Sequence, residues 1–454
     1  MNIHSFGNNK IFYILSSLLV LIFLLDINML KTFDLVNKTS TNYSIFIFLG
    51  ISVTFLILSS LILKYNWNYI NEFIKKSNRI YTIFKITLIT QIFLSSLLIL
   101  LNFQIIMLHY YSTYIIIISL FVSYSLSFFI LFFLTYKFLR WYNIKRNYLL
   151  LFYSLAFGTI FLESVFKLGF TEIMMILKHQ SIFPMTIGSS IFIPANSLQA
   201  YLNNIFPILS IFSFVFAWIA SSIMLKEYSN KVGGKVKYWI IVSIPLIFYF
   251  SQFFVQFNSQ IIFQLTSNVT SFSIILTIVF IFSKLIGGLL FGIPFWTIAK
   301  TIHNPAIKTS MTIAGFGFVF IFLTNQANGI IVTPYPPFGI TTSLFFGLSS
   351  FLVLIGFYCS AIYISENRDI RMLIRKNILK YDLLSQMSTR FIEDKTINYI
   401  NQIRKVSKNE LFIDYNRLFL NDKDIKQYVK DVVNEISKKN NYNNNKNNKK
   451  NKKY

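Results

Sequence analysis

"FSIILTIVFIFSKLIGGLLFGIPFWTIA", residues 272–299, carries one charged side chain, Lys284, in 28 positions. Its reading decides the fold. At 1.5 Å of rise per residue a helix of this length exceeds the ~30 Å thickness of a bilayer's hydrocarbon core. The apolar run is continuous, without the every-second-residue alternation of a membrane barrel strand. It therefore reads as a transmembrane helix, and the rest of the chain repeats the pattern.

Apolar segments of spanning length occur at about 11–30, 44–64, 82–108, 112–136, 148–168, 202–224, 238–257, 272–299, 309–325 and 341–364. The expected fold class is all-α: a polytopic transmembrane helix bundle of about ten spans, residues 1–364, with the lipid bilayer as its solvent. Only 13% of the residues are charged, against roughly 25% in soluble domains. The net charge of +25 does not point to nucleic acid, because the basic residues sit in short segments between apolar runs. The lone cysteine, Cys359, excludes an intrachain disulfide and any cysteine-based metal site.

Ten spans put both termini on one side, and charge tests the count. With the N-terminus inside, the inner segments hold sixteen basic residues: Lys10, Lys64, Lys75, Lys76, Arg79, Lys85, Lys137, Arg140, Lys145, Arg146, Lys226, Lys231, Lys235, Lys237, Lys300 and Lys308. The outer positions hold four: Lys31, Lys38, Lys167 and Lys178. A miscounted span would scramble this bias, so an N-in/C-in topology in the cell membrane is expected. The sequons at Asn37, Asn42 and Asn268 all fall in outer loops. The first run follows Lys10 as a signal peptide would, but "LLDINMLK" lacks a small-residue cleavage pattern, so it reads as span one. Two outer segments, 169–201 and 326–340, are half apolar; they read as a compact outer cap or as re-entrant pieces.

Residues 365–437 carry apolar positions at helical spacing, Ile370, Leu373, Ile374, Ile378 and Leu379 among them, and read as a cytoplasmic amphipathic helical tail. Residues 438–454 are Asn/Lys-rich and read as a disordered basic terminus. The tail is either a reporting module or an anchor on anionic lipid headgroups, which attract each basic residue by about 1 kcal/mol. It has no histidine and no glycine, which excludes a histidine-kinase module.

Charge inside the bilayer costs about 2.5–3.5 kcal/mol on insertion scales and so needs a reason. Asp26, Glu163 and Lys284 each lie about 16 residues, or roughly 24 Å, from the inner charged boundary of their span. Gln252 and Asn325 fall in the same layer. The candidate site is an intramembrane polar layer of Asp26, Glu163, Gln252, Lys284 and Asn325, with Lys284 paired to Glu163 or Asp26. Gly287, Gly288, Gly292 and Pro294 suggest a loosened helix beside it. The alternative is structural: Lys284 snorkels outward, and Glu163 pairs with Lys167 one turn on. Met174, Met175, His179 and Met185 lie together, yet such residues usually pack, so no metal is expected. No cofactor is expected, and no hydrolase, metalloprotease or phosphate-loop motif argues for an enzyme. An inverted repeat would place a second broken helix in span three, which has neither Gly nor Pro.

"YPPFGITTSLFFGLSSFLVLIGFYCSAIYIS", Tyr335–Ser365, resembles uncharacterised polytopic membrane proteins of ammonia-oxidising archaea, in which a YPPFG loop precedes a GLSS-containing last span and a charged tail. The resemblance covers about 40 residues. It implies a membrane protein of archaeal type and carries no activity and no functional residue. Three functions follow from the residues: translocation of a small solute or ion, a membrane sensor with outer ligand-binding segments and a reporting tail, or a structural subunit of a membrane complex.

Overall fold

The computed structural model describes residues 9–32, 41–74, 78–144, 146–180, 198–226, 234–257, 269–302, 304–325, 335–376 and 381–410. Every regular element among them is a helix. In chain order these are α1 Asn9–Thr32, α2 Thr41–Ile74, α3 Asn78–Leu108, α4 Thr113–Ile144, α5 Tyr148–Gln180, α6 Leu198–Lys226 and α7 Lys235–Phe257. They continue with α8 Val269–Thr301, α9 Pro305–Thr324, α10 Ile340–Leu344, α11 Phe346–Glu366, α12 Arg368–Lys376 and α13 Asp382–Glu410.

Among the described residues, eight segments are long and apolar enough to cross a membrane, on α1 to α6, on α9 and on α10 with α11. On α7 and α8 the described side chains make up the apolar stretches Val236–Ser251 and Leu285–Thr301. The bundle is therefore multi-pass and all-helical. Burial separates centre from rim: 94% of the apolar windows of α9 and of α10–α11 is buried, against 28% for α3. The open face of α3 shows Ile86, Ile89, Ile92, Phe93, Ile99 and Phe103, the surface expected against lipid tails.

Because lipid is as apolar as leucine, the centre is held by close packing and dispersion. Phe295 stacks on Phe318 at 5.1 Å, Phe157 lies 5.5 Å from Phe318, and Phe138 meets Phe357 edge-on at 5.3 Å. Small residues let the backbones approach. A Cβ at Gly356 would lie 2.7 Å from Ser310 O, and one at Gly317 would lie 2.8 Å from Val353 N. Asn304 starts α9 as its N-cap, accepting from Ala306 N at 3.1 Å, with Pro305 in the first turn.

Several boundaries differ from the sequence reading. Helix α2 runs ten residues past residue 64, because Trp67 packs on Phe84 with tilted rings at 5.1 Å and Tyr69 donates to Ala306 O at 3.2 Å. Of the outer segment 169–201, residues 169–180 prolong α5 and 198–201 begin α6, while 181–197 lie outside the described residues. Of the segment 326–340, residues 335–340 are described and packed against the bundle: Phe338 and Ile340 are buried, and Phe338 lies 5.7 Å from Phe48, while 326–334 lie outside the described residues. The last span is two helices in series, α10 and α11, joined at Phe345. Helix α8 stays helical through Pro294, so it is not broken. Its glycines are contact points: a Cβ at Gly288 would lie 3.2 Å from Val319 Cα, and one at Gly292 would lie 2.9 Å from Gly315 O.

The start of the tail is helical and docked. Asn367 is extended (φ −97°, ψ 108°) and ends α11, so α12 departs from the span axis. Leu383, Leu384 and Met387 of α13 are buried, and Phe391 meets Tyr358 edge-on at 5.7 Å. Asn147 at the α4–α5 turn donates to Asp382 at 2.6 Å. The remaining tail, 411–454, including the terminus read as disordered, lies outside the described residues.

Candidate intramembrane site

Two buried carboxylates organise the end of the bundle remote from the basic loops. Asp26, on α1, is fully buried. Its Oδ1 accepts from Gly339 N at 2.8 Å, and its Oδ2 accepts from Thr342 N at 3.1 Å, Thr342 Oγ1 at 2.7 Å and Thr341 Oγ1. The carboxylate thus caps α10 from a different helix, meeting amides that the first turn leaves free. Gly339 has φ +87°, which a side chain would strain, and this turn aims its N–H at Asp26. Ser123 of α4 takes the other end of α10, donating to Ser343 O at 2.9 Å and Leu344 O at 3.3 Å. Bonds to a charged group are worth about 1.5–3 kcal/mol each, so four donors offset much of the cost of burying the charge.

Glu163 and Lys167 project from α5 one turn apart and are also buried. Asn325, the C-cap of α9, bridges them. Its Nδ2 donates to Glu163 Oε2, and its Oδ1 accepts from Lys167 Nζ. The same ammonium donates to Asn325 O at 3.3 Å, placing a cation at the negative end of α9. The ammonium also lies 5.3 Å from the ring centre of Tyr124 and 5.4 Å from that of Phe346. Ser213 of α6 donates to Glu163 Oε1 at 3.3 Å and to Ser210 O at 3.0 Å. Ser210 in turn bonds Tyr249 of α7 at 3.1 Å, and Tyr249 stacks on Phe214 at 3.8 Å.

The predicted layer is thereby divided. Glu163 and Asn325 are brought together; Asp26 is held by the 339–342 segment, and its partners are not shared with Glu163. Gln252 and Lys284 belong to α7 and α8, and their side chains lie outside the described residues, as do those of Met174, Met175, His179 and Met185. The backbone register of α8 is informative all the same. Gly288 abuts Val319 on antiparallel α9, so position 284, one turn farther out, is level with the end of α9.

Sequence reasoning placed Lys167 at the outer interface, yet it is a buried member of the site. The signal was present: a Lys four residues after an intramembrane Glu shares its helix face. Thr341 and Thr342 were missed. Their sign is a Gly-x-Thr-Thr run opening a helix, which supplies amides and hydroxyls together, but only the fold says which carboxylate takes them. Ser213, Ser210 and Tyr249 carried no sign, because serine and tyrosine are spread throughout the spans.

The arrangement holds a carboxylate and an ammonium one helical turn apart, bridged by one amide, in a medium that magnifies electrostatic differences. No known protein family, curated protein or solved structure matches this chain.

Proposed function

We propose that this chain is a ten-span protein of the cell membrane, both termini cytoplasmic, that moves a small solute or ion through its helix bundle. The observation that supports this is a carboxylate and an ammonium, Glu163 and Lys167, both buried in a membrane-crossing helix and both bound to one neutral amide, Asn325. Ionisable groups inside a span mark solute and proton paths, because burial there is tolerated only for a function or a firm partner. Position 284 falls level with this site, and Lys284 is retained in the reading as a residue of the path. The basic tail rests on anionic headgroups of the inner leaflet.

Labelling tests it. In a Cys359→Ser background, Ser213→Cys and Lys284→Cys are exposed in intact cells to a membrane-impermeant maleimide. Translocation expects reagent to reach position 213, and position 284 as well. A folded protein that resists labelling at both would be dry there, and the charges would be structural.

A sensor reading has one observation in its favour. The span that begins at the Asp26-capped α10 continues through the bundle as α11, and α13 packs directly on α11 through Phe391 against Tyr358, so the two ends are joined by described contacts. A ligand-dependent change in protection of α13, with no solute flux, would favour it over translocation.

A further inference from the structure

We infer that the Glu163–Lys167 pair is a receptor for small neutral primary amides, which Asn325 occupies as a tethered amide of the protein's own. This rests on the translocation reading and names its substrate class.

The argument begins with the two ends of the Asn325 side chain. Its N–H faces a carboxylate, which only accepts, and its carbonyl oxygen faces an ammonium, which only donates. The partners therefore dictate the orientation of the amide; the reverse one would set donor against donor and acceptor against acceptor. Glu163 and Lys167 owe nothing to Asn325 for their spacing. They are four apart on one helix, with Cβ atoms about 5–6 Å apart, a spacing set by the helix backbone. The rings of Tyr124 and Phe346 fix the ammonium, and the Ser213 hydroxyl fixes the other carboxylate oxygen.

Asn325 is the C-cap of α9, held by its N–H donating to Ile321 O at 2.9 Å and by the two charged side chains. A solute carrying –C(=O)NH2 reproduces its donor and its acceptor, so exchange conserves every hydrogen bond to the pair. A carboxylate solute opposes Glu163 and an alkylammonium opposes Lys167, each leaving a buried charge unmatched. An ester lacks the N–H and orphans Glu163 Oε2.

The test uses the full-length protein in proteoliposomes, with acetamide influx followed by stopped-flow light scattering. Influx several-fold faster than in protein-free vesicles, inhibited by propionamide and not by acetate, is the expected result. Folded Glu163→Gln should lose about tenfold or more of it, the loss of one charge-assisted bond. Influx unchanged in that variant overturns the assignment. Where Glu163→Gln fails to fold, Asn325→Gly replaces it: acetamide should raise its melting temperature more than that of the native protein, and equal shifts overturn the assignment. Influx at the protein-free rate with Ser213→Cys labelled from outside removes the amide assignment and leaves translocation standing. Neither influx nor labelling removes both.

Discussion

A single amide decides the balance of charge in the far half of this bundle. Asn325 satisfies a buried anion and a buried cation at once, so its loss leaves both short of a partner. Asn325→Leu should lower thermal stability in detergent by about 3–5 kcal/mol, the usual effect of breaking a buried charged network. Combining it with Glu163→Gln and Lys167→Met should recover part of that loss, because the charges that lost their partner are gone. Additive losses in a thermal-shift series would mean the three residues do not act together. Asp26 poses the complementary case. Asp26→Asn keeps its shape but sets an NH2 against a backbone N–H, that of Gly339 or of Thr342, so at least one backbone donor is orphaned. It should cost more than Thr341→Val, which removes one bond worth about 1.5–3 kcal/mol, in the same assay.

Helices in this protein meet through glycine, and the contacts are uneven enough to test. Gly356→Val would drive a Cβ to 2.6 Å from Ala314 Cβ and 2.7 Å from its backbone N, forcing α9 and α11 apart. Overpacking of this kind costs about 1–3 kcal/mol. Gly50→Ala in α2 meets nothing within 4 Å and should be neutral or gain up to about 1 kcal/mol from helix propensity. Melting temperatures of the two variants give the comparison. At the other end, α13 is held by Leu383, Leu384 and Met387. Leu384→Asp should release it, seen as faster proteolytic cleavage between residues 377 and 410 with the spans intact. Unchanged cleavage would mean this packing does not hold the tail.

For the whole molecule, the basic residues and the spans make one joint statement about topology. Reporter fusions at both termini, and at loops after α1 and after α2, should read inside, inside, outside and inside in turn. An outside reading at the C-terminus alone would remove one span from ten. The same view explains why the polar layer was only partly legible. Depth along each helix is a sum of residue rises, so Glu163 and Asn325 were correctly read as neighbours in height. Azimuth is set by which helices touch, and it sent Asp26 to α10 instead.

What the sequence determined by itself is the class of molecule: helices, a membrane, a tail. Those follow from local quantities, the length of an apolar run and the sign of the charge beside it, because the bilayer acts on each segment separately. The tertiary structure alone decided partners. That α9 and α11 are the axis, that glycines 288, 292, 317 and 356 are seams and not hinges, and that Lys167 belongs inside all depend on residues distant in the chain. Lipid gives no hydrophobic preference for one apolar face over another, so the choice rests on shape and on a few hydrogen bonds, neither of which is written in the periodicity.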